Sequence, residues 1–461
     1  MVMTLLCFLI GMAAAASGLE DSAAVKKISI SGKLEFETSE MMRARTMGAG
    51  GIDPGKSQLI DHVWYGHATG TFNLEGNPLE NFKVRAGFEF RQYRTMVPLS
   101  DNYNRDRYFG QSYWNGFYIR EGQGIYSFLK SETAFLDLAF GYLPYKYNSE
   151  VRNLGEFLFR SGTYPLYLTG EFDRPFARLT GLCLSLKSGN EDFNCKFDWL
   201  ALLERDIRPV DDISLAAIAS VNILKMVEIG GGVDLARVIP VDSRLTTSRE
   251  AKNEFYIYNS DSTQIDTSRY TFKGTKLMAR ATIDPFGMVR GNESIISEIV
   301  GDHGGKIYGE YSAIGLENYP ANEIFGSYNP RGYGKLSERS PWMVGITFPL
   351  WKILDVCALE FERWPSNTPD TYFRPVMNGF PEPAPRGTPG GEYDSSSYVP
   401  RWNWSLYMKK QIVKHFGLIC QMGRDHQRWE FNPNEGLFYD FESAYVKPNE
   451  WGWHLSGVFS F

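Results

Sequence analysis

The sequence lacks a long hydrophobic segment beyond its N-terminus. No later stretch approaches the roughly 18 consecutive apolar residues of a membrane-spanning helix, whereas closed β-barrels remain compatible with the composition. Basic charge is not in surplus either, because 48 Lys and Arg residues stand against 54 Asp and Glu residues, a formal net charge of −6. Nothing in this balance indicates nucleic acid as a partner. Any membrane crossing would therefore be made by β-strands.

Cysteine and histidine are scarce and scattered. The five Cys and six His residues show no CxxC pair and no metal-ligand spacing, so we expect no metal site and no cofactor. Asp425 and His426 form a lone acid–histidine pair without a Ser or Cys nucleophile arrangement, which is too little for catalysis. We expect no catalytic residues and no enzymatic activity.

Residues 1–18 have the pattern of a secretory signal peptide. An apolar run from Leu5 to Ala16 precedes small residues and then the acidic pair Glu20 and Asp21, which fits an h-region and its cleavage site. We place the cleavage after Gly18, although no Lys or Arg precedes the apolar run. A core helix is the alternative interpretation.

Period-two alternation dominates the chain from residue 27 to residue 461. In the segment 82–91, for example, Phe, Val and Ala residues alternate with Lys, Arg and Glu residues, which is typical of strands with one apolar and one polar face. Such segments run for about 10 residues, the length that a tilted strand needs to cross a bilayer. We count about sixteen, centred near residues 32, 70, 86, 123, 138, 181, 198, 218, 231, 277, 311, 346, 359, 406, 419 and 456.

Long and short connections alternate between these segments. Long connections are typical of external loops and short ones of periplasmic turns, so both chain ends should lie on the periplasmic side. The connection 284–305 breaks this rule, since Asn292 precedes Ile295, Ile296, Ile299 and Val300. A capping residue before apolar residues at helical spacing predicts a periplasmic turn with a short helix.

The hairpin near residue 190 bears on the cysteines. If Leu182, Leu184 and Leu186 share a face with Phe193, Cys195 and Phe197, then Leu186 lies opposite Phe193 and the turn is Gly189-Asn190. This register puts Cys183 and Cys195 on opposite faces of the hairpin. We therefore predict no disulfide between them.

A soluble β-sandwich is the main alternative to a barrel, because sandwiches alternate too. The placement of tryptophan favours the barrel. Trp64, Trp342, Trp351, Trp402 and Trp451 fall at predicted strand ends, where interfacial girdles of membrane barrels hold amphipathic rings.

The C-terminal segment Trp451–Phe461 places Trp, Leu, Gly and Phe residues on one face and ends on an aromatic residue. It resembles the terminal β-signal of bacterial outer-membrane proteins, whose last strand closes the barrel and is recognised by the barrel-assembly machinery. With about sixteen strands, the chain resembles the 16-stranded porins. The resemblance implies an all-β fold, namely an antiparallel transmembrane β-barrel in the bacterial outer membrane. It also implies contact with outer-membrane lipid, passive diffusion of small hydrophilic solutes and, as in many porins, a homotrimer.

In porins, the loop between the fifth and sixth strands typically folds into the lumen and narrows it. The corresponding segment here, 143–175, is unusually apolar, so folding inward is physically preferred over exposure to water. Charged residues of the third strand would then face charged residues of this loop and form a filter. Ordinary solvated lumen residues are the alternative. The pore-lining candidates are Lys83, Arg85, Glu89 and Arg91 on the strand and Glu150, Arg152, Glu156 and Arg160 in the loop.

A second function is compatible with the same fold. A barrel plugged by its own loops could serve as a structural or adhesive surface protein that binds polysaccharide through its long external segments. Permeation of graded sugars would distinguish the two functions.

Overall fold

The computed structural model describes the strands, most short turns and part of one long connection. Among the described residues, no helix combines the length and the apolar character that a membrane crossing requires. The predicted signal peptide, residues 1–18, lies outside the described part of the chain. The described residues are 28–45, 59–94, 113–131, 133–159, 177–203, 212–239, 254–258, 264–269, 274–290, 299–301, 303–313, 316, 336–351, 353–364, 401–424 and 449–461.

Eighteen strands occur in the described part of the chain. They are β1 (Ile28–Arg45), β2 (Leu59–Leu79), β3 (Phe82–Arg94), β4 (Tyr113–Lys130), β5 (Ala134–Tyr145), β6 (Ala177–Gly189), β7 (Phe193–Leu203), β8 (Ile213–Ile223), β9 (Val227–Ile239), β10 (Glu254–Tyr258), β11 (Gln264–Arg269), β12 (Gly274–Ile283), β13 (Ile307–Ala313), β14 (Trp342–Thr347), β15 (Val356–Trp364), β16 (Arg401–Val413), β17 (Phe416–Arg424) and β18 (Trp451–Ser460).

Sixteen of these strands form one closed barrel. Each strand pairs with its neighbour in the chain, except that β9 pairs with β12, because β10 and β11 form a separate two-stranded hairpin. All pairings are antiparallel, including the closing pair of β1 with β18. The expected all-β fold with about sixteen strands is confirmed, and each predicted strand centre falls within a barrel strand.

The barrel closes at its C-terminal residue. The Gly32 amide donates to the Phe461 carbonyl at 2.9 Å, and the Phe461 amide donates back to Gly32 at 3.0 Å. A Cβ atom on residue 32 would collide with the Phe461 ring, so only glycine leaves room for the terminal aromatic side chain. The chain end is thereby built into the seam.

Side chains on the two faces of the barrel wall differ sharply. On β13, Tyr311 is 51% exposed, whereas Tyr308 and Glu310 of opposite parity are 1% and 3% exposed. The same alternation recurs on β15, where Phe361 is exposed and Glu360 is buried. Apolar residues therefore face outward and mostly polar residues face inward, as a strand between lipid and lumen requires.

The hairpin β6–β7 corrects one prediction. Leu186 pairs with Phe197, not with Phe193, so the predicted register is wrong by four residues. The turn holds one more residue than predicted, because the Asn190 side chain accepts the amide of Phe193 at 2.8 Å. An even shift leaves the faces unchanged, so Cys183 and Cys195 point to opposite faces and both are free thiols.

The connection between β12 and β13 is organised by Arg290. Its guanidinium donates to the Asp284 carboxylate at 2.7 Å and also to the carbonyls of Gly301 and Gly304. Residues 299–300 have helical backbone. The predicted start of the helix at Asn292 lies outside the described residues.

Candidate functional site

The segment 146–159 runs across the inside of the barrel. It leaves β5 and reaches β15, which lies eight strands from β5 in either direction around the barrel. Half the circumference is thus about eight strand spacings of about 4.8 Å, or about 38 Å even without strand tilt. The seven residues from Tyr145 to Arg152 reach at most about 25 Å. Only a path through the interior is short enough, and we name residues 146–159 the strap.

Three carboxylates on the far wall bind the strap through its backbone. Glu360 on β15 accepts the amides of three consecutive strap residues, at 2.6, 2.9 and 2.9 Å. Glu362, also on β15, accepts the next amide at 3.2 Å. Glu310 on β13 accepts the two amides that follow, at 3.0 and 2.8 Å. Because hydrogen bonds to a charged acceptor are stronger than neutral ones, the six bonds fix the strap to the wall. The donors are Arg152, Asn153, Leu154, Gly155, Glu156 and Phe157.

Two tyrosines complete this anchor. Tyr308 on β13 donates its hydroxyl to Glu360 at 2.7 Å, and Tyr147 at the start of the strap donates to Glu310 at 2.6 Å. The Tyr147 hydroxyl also accepts the amide of Leu158 at 2.9 Å. Burial, followed by the charge of Glu310, raises the pKa of Tyr147 well above its usual value, so this hydroxyl stays protonated and able to donate.

The strap closes on itself at Glu156. This residue has a positive φ of 59° and its carboxylate accepts the amides of Asn148 at 2.6 Å and Tyr147 at 3.4 Å. Burial and the neighbouring carboxylate of Glu310 raise the pKa of Glu156 to about 8. The side chain is therefore largely protonated at neutral pH while the strap is in place.

Ion pairing at the strap involves Glu150. Lys306, just before β13, lies 2.9 Å from the Glu150 carboxylate. Within the strap, Lys146 donates to the Val151 carbonyl at 2.7 Å. Both lysines are thus held beside the strap, one from the wall and one from the strap itself.

The other side of the strap is apolar and packs on the wall formed by β6 to β9 and β12. Leu158 and Phe159 are buried against inward-facing residues of these strands. Gly232 on β9 leaves the space for Leu158, because a Cβ atom there would approach the Leu158 side chain to 3.1 Å. The cluster contains Leu143, Tyr145, Tyr147, Leu158, Phe159, Leu179, Cys183, Leu200, Leu202, Ala216, Ile218 and Met278.

The strand candidates pair with neighbouring strands. Lys83 and Arg85 bind one carboxylate, Glu75 on β2, at 2.9 and 2.8 Å. Glu89, 1% exposed, lies 3.3 Å from Arg120 on β4. The fourth candidate on this strand, Arg91, has a side chain outside the described part of the structure.

The loop candidates lie on the strap or beyond it. Glu150, Arg152 and Glu156 belong to the strap and contact β13 and β15 as described above. Arg160 lies outside the described residues. The described contacts therefore join the strap to β13 and β15, and join β3 to β2 and β4.

Sequence analysis missed the three anchoring carboxylates. Glu310, Glu360 and Glu362 are acidic residues at inward positions of otherwise aliphatic and aromatic strands. That parity was visible in the sequence, but their partners are backbone amides more than 150 residues away. No local pattern specifies such a pairing.

A polar sector of the wall lies opposite the apolar one. It comprises β16 to β18 and β1 to β4, and its described inward-facing residues are mainly hydroxyl, amide and charged side chains. They are Glu37, Ser39, Glu40, Thr69, Thr71, Glu89, Arg120, Gln123, Asn403, Ser405, Gln421, Arg424, His454 and Ser456.

Comparison with known proteins finds similarity only to solved structures. No protein-family model and no curated protein matches the sequence. A triple mutant of the Rh. blastica porin is 7% identical over 94% of this chain and 100% of that chain, with a TM-score of 0.39. The Salmonella typhi OmpF complex with daunomycin is 9% identical over 96% of this chain and 100% of that chain, with a TM-score of 0.44. These values are too low to assign a family or a function.

Proposed function

We propose that the protein is an outer-membrane channel of the porin type, through which small hydrophilic solutes diffuse passively. The observation that carries the proposal is a strap fixed across the interior of a closed 16-strand barrel by carboxylates of the opposite wall. Barrels of this size enclose a lumen wider than their own inward side chains can fill. A segment anchored across that lumen narrows it without closing the wall.

The strap is the constriction in this proposal. Its apolar side is packed on β6 to β9 and β12, so water and solutes pass on its other side. That passage is bordered by the polar sector, including Glu89, Arg120 and Gln421. Side chains that offer hydrogen bonds and charges of both signs suit hydrated solutes.

The membrane setting follows from the outer face. Exposed apolar side chains occur on strands all around the barrel, as with Phe36, Phe197, Tyr311 and Phe459, and such a surface needs lipid. Insertion by the barrel-assembly machinery through the last strand and association as a homotrimer are parts of the same proposal.

A plugged surface barrel that binds polysaccharide is the second candidate. One observation favours it, namely that inward-facing residues of the polar sector such as Gln421 and His454 are almost completely buried. A lumen filled by side chains and loops would not conduct.

Swelling of proteoliposomes in graded sugars tests the proposal. The purified protein is reconstituted and isotonic sugars of increasing size are added, with protein-free liposomes as the control. We expect rapid swelling with pentoses and progressively slower swelling with larger saccharides, because the strap limits the passage. Swelling no faster than that of the control liposomes with every sugar would refute the channel and favour the plugged barrel.

A further inference from the structure

Glu156 lies where the strap meets the wall. Its amide donates to Glu310 on β13 at 3.0 Å, while its carboxyl group accepts the amides of Asn148 and Tyr147 at the start of the strap. The residue thus joins the two ends of the strap fold to the wall. A change in the charge of this side chain acts on all of these contacts at once.

Negative charge prevails among the groups that face Glu156. Glu310 on β13 acts on it directly, and Glu360 and Glu362 on β15 hold the amides just before it. From the strap, Lys146 is the cation whose charge opposes this effect. The charge of Lys306 is engaged by Glu150, and the facing hydroxyls, of Tyr145 on β5 and Tyr147 on the strap, donate to carboxylates.

We propose that seating of the strap on the wall is linked to a proton on Glu156. The strap stays seated while this carboxyl group is protonated and is released progressively as it ionises. The inference rests on the proposed function, since release of the strap would widen the passage. A rise in pH would then increase the size of solutes that pass.

The direction follows from linkage. The pKa of Glu156 is about 8 in the seated strap, because burial and Glu310 disfavour the anion, against an ordinary value of 4.5. The seated strap therefore holds a proton that the released strap has lost between these two values. Its stability falls as pH rises through this window and levels off above about 8, where both forms are ionised. The opening equilibrium rises by up to about tenfold per pH unit within the window.

Hydrogen exchange measured by mass spectrometry on the intact, membrane-embedded protein tests this linkage. The amides of residues 147–158 are followed from about pH 5 to about pH 9.5 and corrected for the intrinsic pH dependence of exchange. We expect the opening constant to rise by up to about tenfold per pH unit and to level off above about pH 8. A corrected constant that does not change with pH would overturn the proposal.

Variants separate the role of Glu156 from general effects of pH. Glu156→Gln mimics the protonated side chain, so its opening constant should not change with pH. Glu191→Gln, in the exposed β6–β7 turn where the carboxylate pairs with Lys225, should keep the wild-type profile. If Glu156→Gln folds and retains the wild-type slope, the proton binds elsewhere and the proposal fails.

Glu310→Gln gives a second test that does not depend on the folding of Glu156→Gln. Removing the neighbouring charge lowers the pKa of Glu156 in the seated strap, so the profile should level off at a lower pH than in the wild type. An unchanged levelling point would contradict the linkage. Exchange is readable in a sealed barrel, so a failed swelling experiment rejects the channel without deciding the linkage.

Discussion

Two sectors of the same barrel wall have opposite inward faces. In the sector from β6 to β9 and β12, apolar residues such as Leu200 and Ile218 pack with the strap. In the sector from β16 to β4, the corresponding inward positions hold polar residues such as Thr71 and Gln421. The outward faces of both sectors are apolar. Inward parity therefore does not by itself mean contact with water, because one part of the lumen wall is the core of a folded protein.

The largest expected effect comes from removing an anchor of the strap. Glu360→Leu leaves three buried strap amides without their acceptor, and each orphaned amide costs about 1–3 kcal/mol. A total of at least about 3 kcal/mol corresponds to exchange of these amides that is about 100-fold faster or more. Hydrogen exchange of residues 152–154 checks this, together with faster entry of large sugars into proteoliposomes. Unchanged exchange would show that the strap is held by other contacts.

Loss of a buried apolar residue should have the next largest effect. Leu158 is 0% exposed in the apolar cluster, and replacing such a leucine by alanine costs about 2–5 kcal/mol. Leu182→Ala is the matched control, because Leu182 is 43% exposed on the outer face. We expect Leu158→Ala to accelerate exchange throughout the strap and Leu182→Ala to leave it nearly unchanged. Equal effects of the two variants would remove the distinction between the sectors.

Charges of the polar sector should affect ion selectivity more moderately. Glu89 and Arg120 lie 3.3 Å apart, and one charge acts on an ion about 5 Å away in water with about 0.8 kcal/mol, a factor of about four. Glu89→Gln should shift the reversal potential towards anion permeation, and Arg120→Gln towards cation permeation. Reversal potentials in a salt gradient measure both shifts. Shifts of the same sign would place the pair away from the ion path.

The smallest effect is expected for Arg85→Gln. Arg85 is partly exposed and shares Glu75 with Lys83, so the lysine compensates for the lost charge. We expect a shift of the reversal potential smaller than that of either Glu89→Gln or Arg120→Gln. A larger shift would identify the end of the barrel near Arg85 as the selective region.

Much of the barrel was predictable because lipid and lumen impose a period of two on every strand. The sixteen strands and their faces follow from this period alone. Register between strands does not, since the polar contact of Asn190 in the β6–β7 turn set it. The hairpin β10–β11 was also missed, although the run Phe255 to Tyr258 has the aromatic and β-branched residues of a strand.

The site was predictable only in part. The apolar composition of 143–175 correctly indicated that the loop cannot stay in water, and the strap residues Glu150, Arg152 and Glu156 were named. Its anchors depend on contacts between carboxylates and distant backbone amides, which leave no periodic signal. Whether the named charges line a pore remains a prediction.

Conductance of the purified protein in a planar lipid bilayer tests the central claim most directly. A water-filled barrel narrowed by a fixed strap should insert in discrete steps of uniform conductance, and Glu360→Leu should give larger steps than the wild type. Insertion without any conductance, in the wild type and in the variant alike, would contradict the account.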